Sequence, residues 1–186
     1  RQGTDLYFDR HDGTAATTDD FADAMAQAGQ IDLAQFKRWY EQPGTPKVQV
    51  AESYADGRLT LNITQAPADL PNAQQQQPFH MPLAMGFLAP DGASLTLSDA
   101  DIDSTATTSL RDDGQTLLLG AKESTTELTI SNLHAKPVVS FLRGFSAPVK
   151  VSHQRDAEEL AFLVQHDTDG FVRWDAMQTL WMSHLD

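Results

Sequence analysis

The spacing of apolar positions changes twice along the chain. Up to residue 44 it is helical: Phe21, Ala24, Met25 and Ala28 recur at i, i+3, i+4 and i+7, and Leu33, Phe36 and Tyr40 build a second stripe. Thr4–Phe8 reads as a helix tail before the polar turn Arg10–Gly13. Thr17 (or equally Thr18) and Asp32 are cap candidates, each with an acid or amide a turn later, and Gly29 can end the first helix. Pro43, Gly44 and Pro46 then break the pattern.

From Lys47 to about Ser152 the period becomes 2. Val48 and Val50 alternate with polar residues, as do Leu59, Leu61 and Ile63, and Asp56-Gly57 between them is a hairpin signal. Further strands are predicted at Met81–Leu88, Leu95–Leu97, Thr116–Leu119, Glu127–Ile130, Val138–Phe141 and Val149–Val151. Asp91-Gly92 and Asp113-Gly114 mark turns, and Ala66–Pro78, with Gln74–Gln77, reads as a polar loop. After Val151 helix returns. Ala157, Leu160, Ala161 and Val164 form one face, and Phe171, Trp174, Met177, Trp181 and Leu185 another, with Asp167–Gly170 turning between them. The expected fold is mainly β with flanking α: an antiparallel β-sandwich at 45–152 between helical segments at 1–44 and 153–186. Neither helical segment can bury its apolar faces alone, so both need neighbours.

Composition narrows the function. The 186 residues suffice for a sizeable core, and 40% hydrophobic with 21% charged residues is ordinary for a soluble globular chain. The 26 acidic against 13 basic side chains give −13, with no basic cluster, which argues against nucleic acid. Cysteine is absent, removing disulfides, thiolate chemistry and Cys-type zinc sites. No segment is long and apolar enough to span a membrane. The chain starts at Arg1 and stops inside a helical pattern at Leu185-Asp186, so both ends read as cut from something longer.

Candidate chemistry is sparse. The histidines are His11, His80, His134, His153, His166 and His184; none precedes a Glu and no two are four apart, so the helical zinc pattern is missing. Asp167-Thr168-Asp169-Gly170 suggests a calcium loop, but Ala176 stands where the bidentate Glu belongs, and a helix–helix turn accounts for it better. His11-Asp12 reads as a solvated turn, and there is neither a Gly-Xaa-Ser-Xaa-Gly elbow nor a Gly-rich phosphate loop. Phe36, Trp39, Tyr40, Trp174 and Trp181 sit at helical spacing, expected in a core or a domain interface.

One resemblance runs along nearly the whole chain. Leu6–Thr17, Asp19-Asp20-Phe21 with Ala24-Met25, Phe36–Tyr40 with Gly44-Thr45-Pro46, Phe145–Lys150, Leu160–Leu163 and Arg173–Ala176 occur in the order seen in the bacterial aminopeptidase N family. These are gluzincin zinc peptidases of the alanyl aminopeptidase type. The resemblance implies the tail of a catalytic domain, a β-sandwich, and the start of a C-terminal helical domain. It also implies a zinc held by His-Glu-Xaa-Xaa-His plus a second Glu, a Gly-Xaa-Met-Glu-Asn motif for the peptide amino terminus, and a Tyr for the oxyanion. None of those motifs occurs here, so no catalytic, metal or cofactor residue is assigned to this chain.

The expectation is therefore an inactive interior piece of a cytoplasmic aminopeptidase. Its zinc and its peptide substrates would belong to the whole enzyme, and its partners would be the other domains, with no nucleic acid and no membrane. Exposed apolar helix faces would make the isolated piece self-associate. The rival reading is a stand-alone β-sandwich that binds proteins through its helical ends.

Overall fold

The computed structural model describes Arg38, Gln42 and residues 44–67 and 77–183. The expected helices within 1–37 lie outside the described residues. Among the described residues nine strands form two sheets, β4-β7-β2-β1-β9 and β5-β6-β3-β8, followed by two helices. The strands are β1 (Lys47–Ala55), β2 (Arg58–Ala66), β3 (Met81–Leu88), β4 (Ile102–Ser104), β5 (Thr107–Leu110), β6 (Leu117–Ala121), β7 (Thr125–Ile130), β8 (Val138–Phe141) and β9 (Lys150–His153). The helices are α1 (Ala157–His166) and α2 (Gly170–Ser183). The chain is thus a β-sandwich with flanking helices.

Alternation builds the core. Val48 and Val50 of β1, Leu59, Leu61 and Ile63 of β2, and Leu128 and Ile130 of β7 face Met81, Leu83, Met85, Phe87, Leu117, Leu119, Val139 and Phe141 of the other sheet. Asp56 and Gly57, both at positive φ (53° and 75°), close the β1–β2 hairpin with the backbone that a type I′ turn needs.

Strand β3 departs from alternation because both its faces are covered. One faces the sandwich core; on the other, Leu88 packs against Leu160, Leu163, Val172 and Ala176 of the helices. A continuous apolar run is the signature of a strand buried on both sides. The backbone entering β3 is also pinned: the Gln65 side-chain amide donates to Phe79 O and accepts from Phe79 N, both at 2.8 Å. Arg38 Nη1 donates to Pro78 O at 2.8 Å, and Gln42 bonds the Gln77 backbone twice. The segment preceding β1 is therefore tied to the start of β3, and the helices sit at its end.

Several expectations shift. Leu95–Leu97 forms no strand, only a bridge at Leu88–Ser94, while β4 and β5 are edge strands of three and four residues, too short to carry an alternating pattern. The sandwich is not wholly antiparallel, since β9 runs parallel to β1 with Lys47 opposite Lys150. In α1 the buried residues are Leu160 and Leu163, and Ala157 and Ala161 are exposed. In α2 the packed face is Val172 and Ala176, with Leu180 beside them. Of the expected packing stripe, Phe171 does pack, Trp174, Met177 and Trp181 face outward, and Leu185 lies outside the described residues. Ala176, the smallest side chain on the packed face, lets the two helices approach closely.

Candidate functional site

The sandwich meets the helices through buried polar groups. Arg143, after β8, is 8% exposed, and its guanidinium reaches three elements. Its Nε donates to Ser140 Oγ at 2.8 Å, its Nη1 to Thr116 Oγ1 at 3.0 Å, and its Nη2 pairs with Asp167 Oδ1 at 3.4 Å. Ser140 Oγ in turn donates to Asp167 Oδ2 at 2.5 Å. Asp169 caps α2, accepting from Val172 N at 3.0 Å, and also accepts from Gly144 N at 3.0 Å. Both carboxylates of the Asp167–Gly170 turn thus fasten the helix turn to the sandwich.

The intervening segment is bent to allow this. Leu142, Gly144 and Phe145 all have positive φ (67°, 64° and 50°), a conformation unfavourable for Leu and Phe. It turns Phe145 against Phe171, centroids 5.0 Å apart, and Phe171 lies 6.0 Å from Trp174.

A second polar cluster surrounds the link from β9 to α1. Glu52 sits at the same parity as Val48 and Val50 on β1, and its Oε2 lies 2.8 Å from His153 Nε2, with both side chains more than nine-tenths buried. Burial pushes the Glu52 carboxyl up, but the His153 hydrogen bond and the charges of His153, Arg155 and Lys136 outweigh it and hold the group below its usual range. Arg155 donates to Val139 O and, at 3.2 Å, to Glu159 Oε1. Burial lowers the Arg155 guanidinium, while the carboxylates of Glu159, Glu52, Asp167 and Asp175 act to raise it. Burial raises Glu159 and Asp175, each partly offset by Arg155.

Beside this cluster runs a groove of about 620 Å³ between β9, the bent segment and α2. Phe145, Val151, His153, Arg155, Trp174 and Asp175 are among its walls. Sequence reasoning missed these polar groups; the available signal was Glu52, a charge on the apolar parity of its strand.

The remaining sequence candidates do not converge. His80 is buried at the start of β3, His134 is exposed in a loop, and His166 stacks on Phe162 at 4.6 Å. His11, His184, Phe36, Trp39 and Tyr40 lie outside the described residues. Among the described residues no three His, Asp or Glu side chains are placed to hold a metal ion. His153, Glu52, Asp167 and Asp169 already bond protein groups, so this donor set does not fit a zinc centre. No helix among the described residues is long and apolar enough to cross a membrane.

A family described as a domain of unknown function (DUF3458) with an Ig-like fold matches residues 44–154. The chain belongs to the DUF3458 family. A companion, DUF3458_C, described as ARM repeats, matches residues 157–186. Beyond these, the chain is similar to aminopeptidase N of Escherichia coli, 35% identical over 100% of this chain and 20% of the relative. Aminopeptidase N of Haemophilus influenzae is 31% identical over the same shares, and that of Caulobacter vibrioides 39% identical over 97% and 19%. Among solved structures, Legionella pneumophila aminopeptidase A in complex with aspartic acid aligns with a TM-score of 0.64 and 25% identity, covering 96% of this chain and 18% of that one. This DUF3458 chain spans about one fifth of the length of the curated relatives it matches.

Proposed function

We propose that this chain is a non-catalytic part of a zinc aminopeptidase that removes N-terminal residues from peptides in the cytoplasm. Its sandwich, 45–152, would hold the end of the catalytic domain, 1–44, apart from a helical C-terminal domain that begins at 153–186. The supporting observation is the geometry of β3. Arg38 and Gln42 are fastened beside its first residue, at Pro78 and Gln77, and the helices pack on its last, Leu88. The eight residues of β3, seven rises of about 3.3 Å, account for about 23 Å of the distance between the two attachments.

Rigidity favours the same reading. The spacer is a two-sheet core, and the buried Arg143–Asp167 pair and the Arg155 hydrogen bond to Val139 O fix the helices to it. Zinc and the peptide-binding groups would be carried elsewhere in the longer polypeptide, since the side chains described here do not fit that metal. Apolar side chains on α2 would be covered by neighbouring domains and would make the isolated chain self-associate.

The test is hydrolysis of an alanine-linked chromogenic substrate with zinc present. The purified chain is expected to give no turnover and the full natural polypeptide a rate abolished by chelator. Turnover by the purified chain alone would overturn the proposal.

A further inference from the structure

The groove beside β9 has walls of two characters. Phe145, Phe171 and Val151 give it an apolar side, and Arg155, His153 and Asp175 give it charged and polar groups. Its volume, about 620 Å³, is that of small-molecule sites, which span about 300–1,000 Å³ and combine an apolar lining with a few polar groups. Met177 and Trp181 are not among its walls, so the self-association expected of the outward face of α2 is a separate matter.

The polar groups are incompletely satisfied. Arg155, whose side chain is 8% exposed, spends Nη1 on Glu159 and Nη2 on Val139 O and leaves Nε without a partner among the described residues. The Asp175 carboxylate has neither a hydrogen bond nor an ion pair among them; Thr179 Oγ1 bonds its backbone carbonyl instead, at 2.8 Å. Arg155 and Asp175 therefore attract each other without touching, one positive and one negative pole of the same groove. His153 Nδ1 is buried and unpaired, although Nε2 is held by Glu52. A buried polar atom left unpaired costs about 1–3 kcal/mol, which a ligand group reaching it would recover.

The bent segment adds an independent sign. Phe145 has φ of 50° and is 48% exposed, so a strained backbone sets a large apolar ring half out of the core, in the groove wall. Strain of this kind, about 1–3 kcal/mol per residue, gathers at ligand clamps.

We propose that the groove is a binding site for a zwitterion of amino-acid size with an apolar or aromatic side chain. The ligand's ammonium pairs with Asp175, its carboxylate with Arg155, and its side chain packs on Phe145 and Phe171. Opposite charges select this class. A lone cation would meet Arg155 and a lone anion would meet Asp175, each repelled at one pole. No catalytic group takes part, so the site stands independently of the aminopeptidase reading.

The probes are phenylalanine, phenylalanine amide, which keeps only the positive end, and N-acetylphenylalanine, which keeps only the negative one. Binding to the purified chain is followed by NMR shifts of the Phe145 and Asp175 backbone amides, up to about 20 mM ligand, enough to register a millimolar complex. Phenylalanine is expected to bind about tenfold tighter than either analogue. Asp175 is exposed, so D175N leaves the fold intact; it should cut phenylalanine affinity about tenfold and leave N-acetylphenylalanine no weaker. No shifts with phenylalanine, equal affinities for the three ligands, or indifference to D175N would overturn the proposal. Such a failure leaves the aminopeptidase reading untouched, because turnover tests that one.

Discussion

The guanidinium of Arg143 occupies the space that a side chain on Gly86 would need: a Cβ there would lie 2.2 Å from Arg143 Cζ. Gly86 is in the middle of β3, where glycine ordinarily weakens a strand. Here its missing side chain lets Arg143 lie flat on the sheet and reach Ser140, Thr116 and Asp167. G86A should therefore destabilise the chain by about 2–4 kcal/mol, because the guanidinium must leave its partners to make room. Urea unfolding measures this; a change under about 0.5 kcal/mol would contradict the arrangement.

Removing the other end of that pair should cost more. D167A leaves the Arg143 charge buried without its carboxylate and Ser140 Oγ without its acceptor. The expected loss is about 3–5 kcal/mol in urea unfolding. Hydrogen exchange should show α1 and α2 opening more readily, since Asp167 joins them to β8.

The amount of this that was legible in the sequence follows from how local each signal is. The β1–β2 hairpin, β3 and β8 are set by alternation and by Asp56-Gly57, which are properties of neighbouring residues. Strand β9 was visible, but its parallel pairing with β1 depends on a partner a hundred residues away. The two-sided apolar character of α2 was present in the sequence, yet periodicity favoured the bulky Trp174–Met177–Trp181 stripe over the smaller one that packs. Gly86 and Arg143 were invisible because nothing local links a strand glycine to an arginine 57 residues later. Glu52 broke the inward parity of its own strand, so its burial was readable.

The pH dependence of stability should divide between two kinds of carboxylate. Glu52 is held below its usual 4.5, so its contribution is present above that value and is lost as pH falls through 4.5 and then through the lower folded-state value. Glu159 and Asp175 are raised, so the fold favours their neutral forms, and that contribution disappears as pH rises through their folded-state values. The stability difference between wild type and E52Q should therefore shrink as pH falls from about 6 to about 3. A difference constant across that range would show that Glu52 titrates as it does in the unfolded chain.

The turn at Gly92 offers a narrower test. Its φ is +92°, and a Cβ there would lie 2.4 Å from His166 Nδ1. G92A should therefore destabilise by about 1–3 kcal/mol and displace the His166 ring from Phe162, seen as a shift of the His166 ring protons in NMR. Unchanged ring shifts would contradict the contact.

The proposed place of this Ig-like domain and helix pair, in an aminopeptidase whose active site lies elsewhere in the polypeptide, is open to one decisive check. Reading the natural coding sequence on both sides of this chain tests it most directly. The expected result is His-Glu-Xaa-Xaa-His with a second Glu upstream and further helical repeats downstream. A start codon immediately before Arg1 with a stop immediately after Asp186 would contradict it and leave a free-standing module.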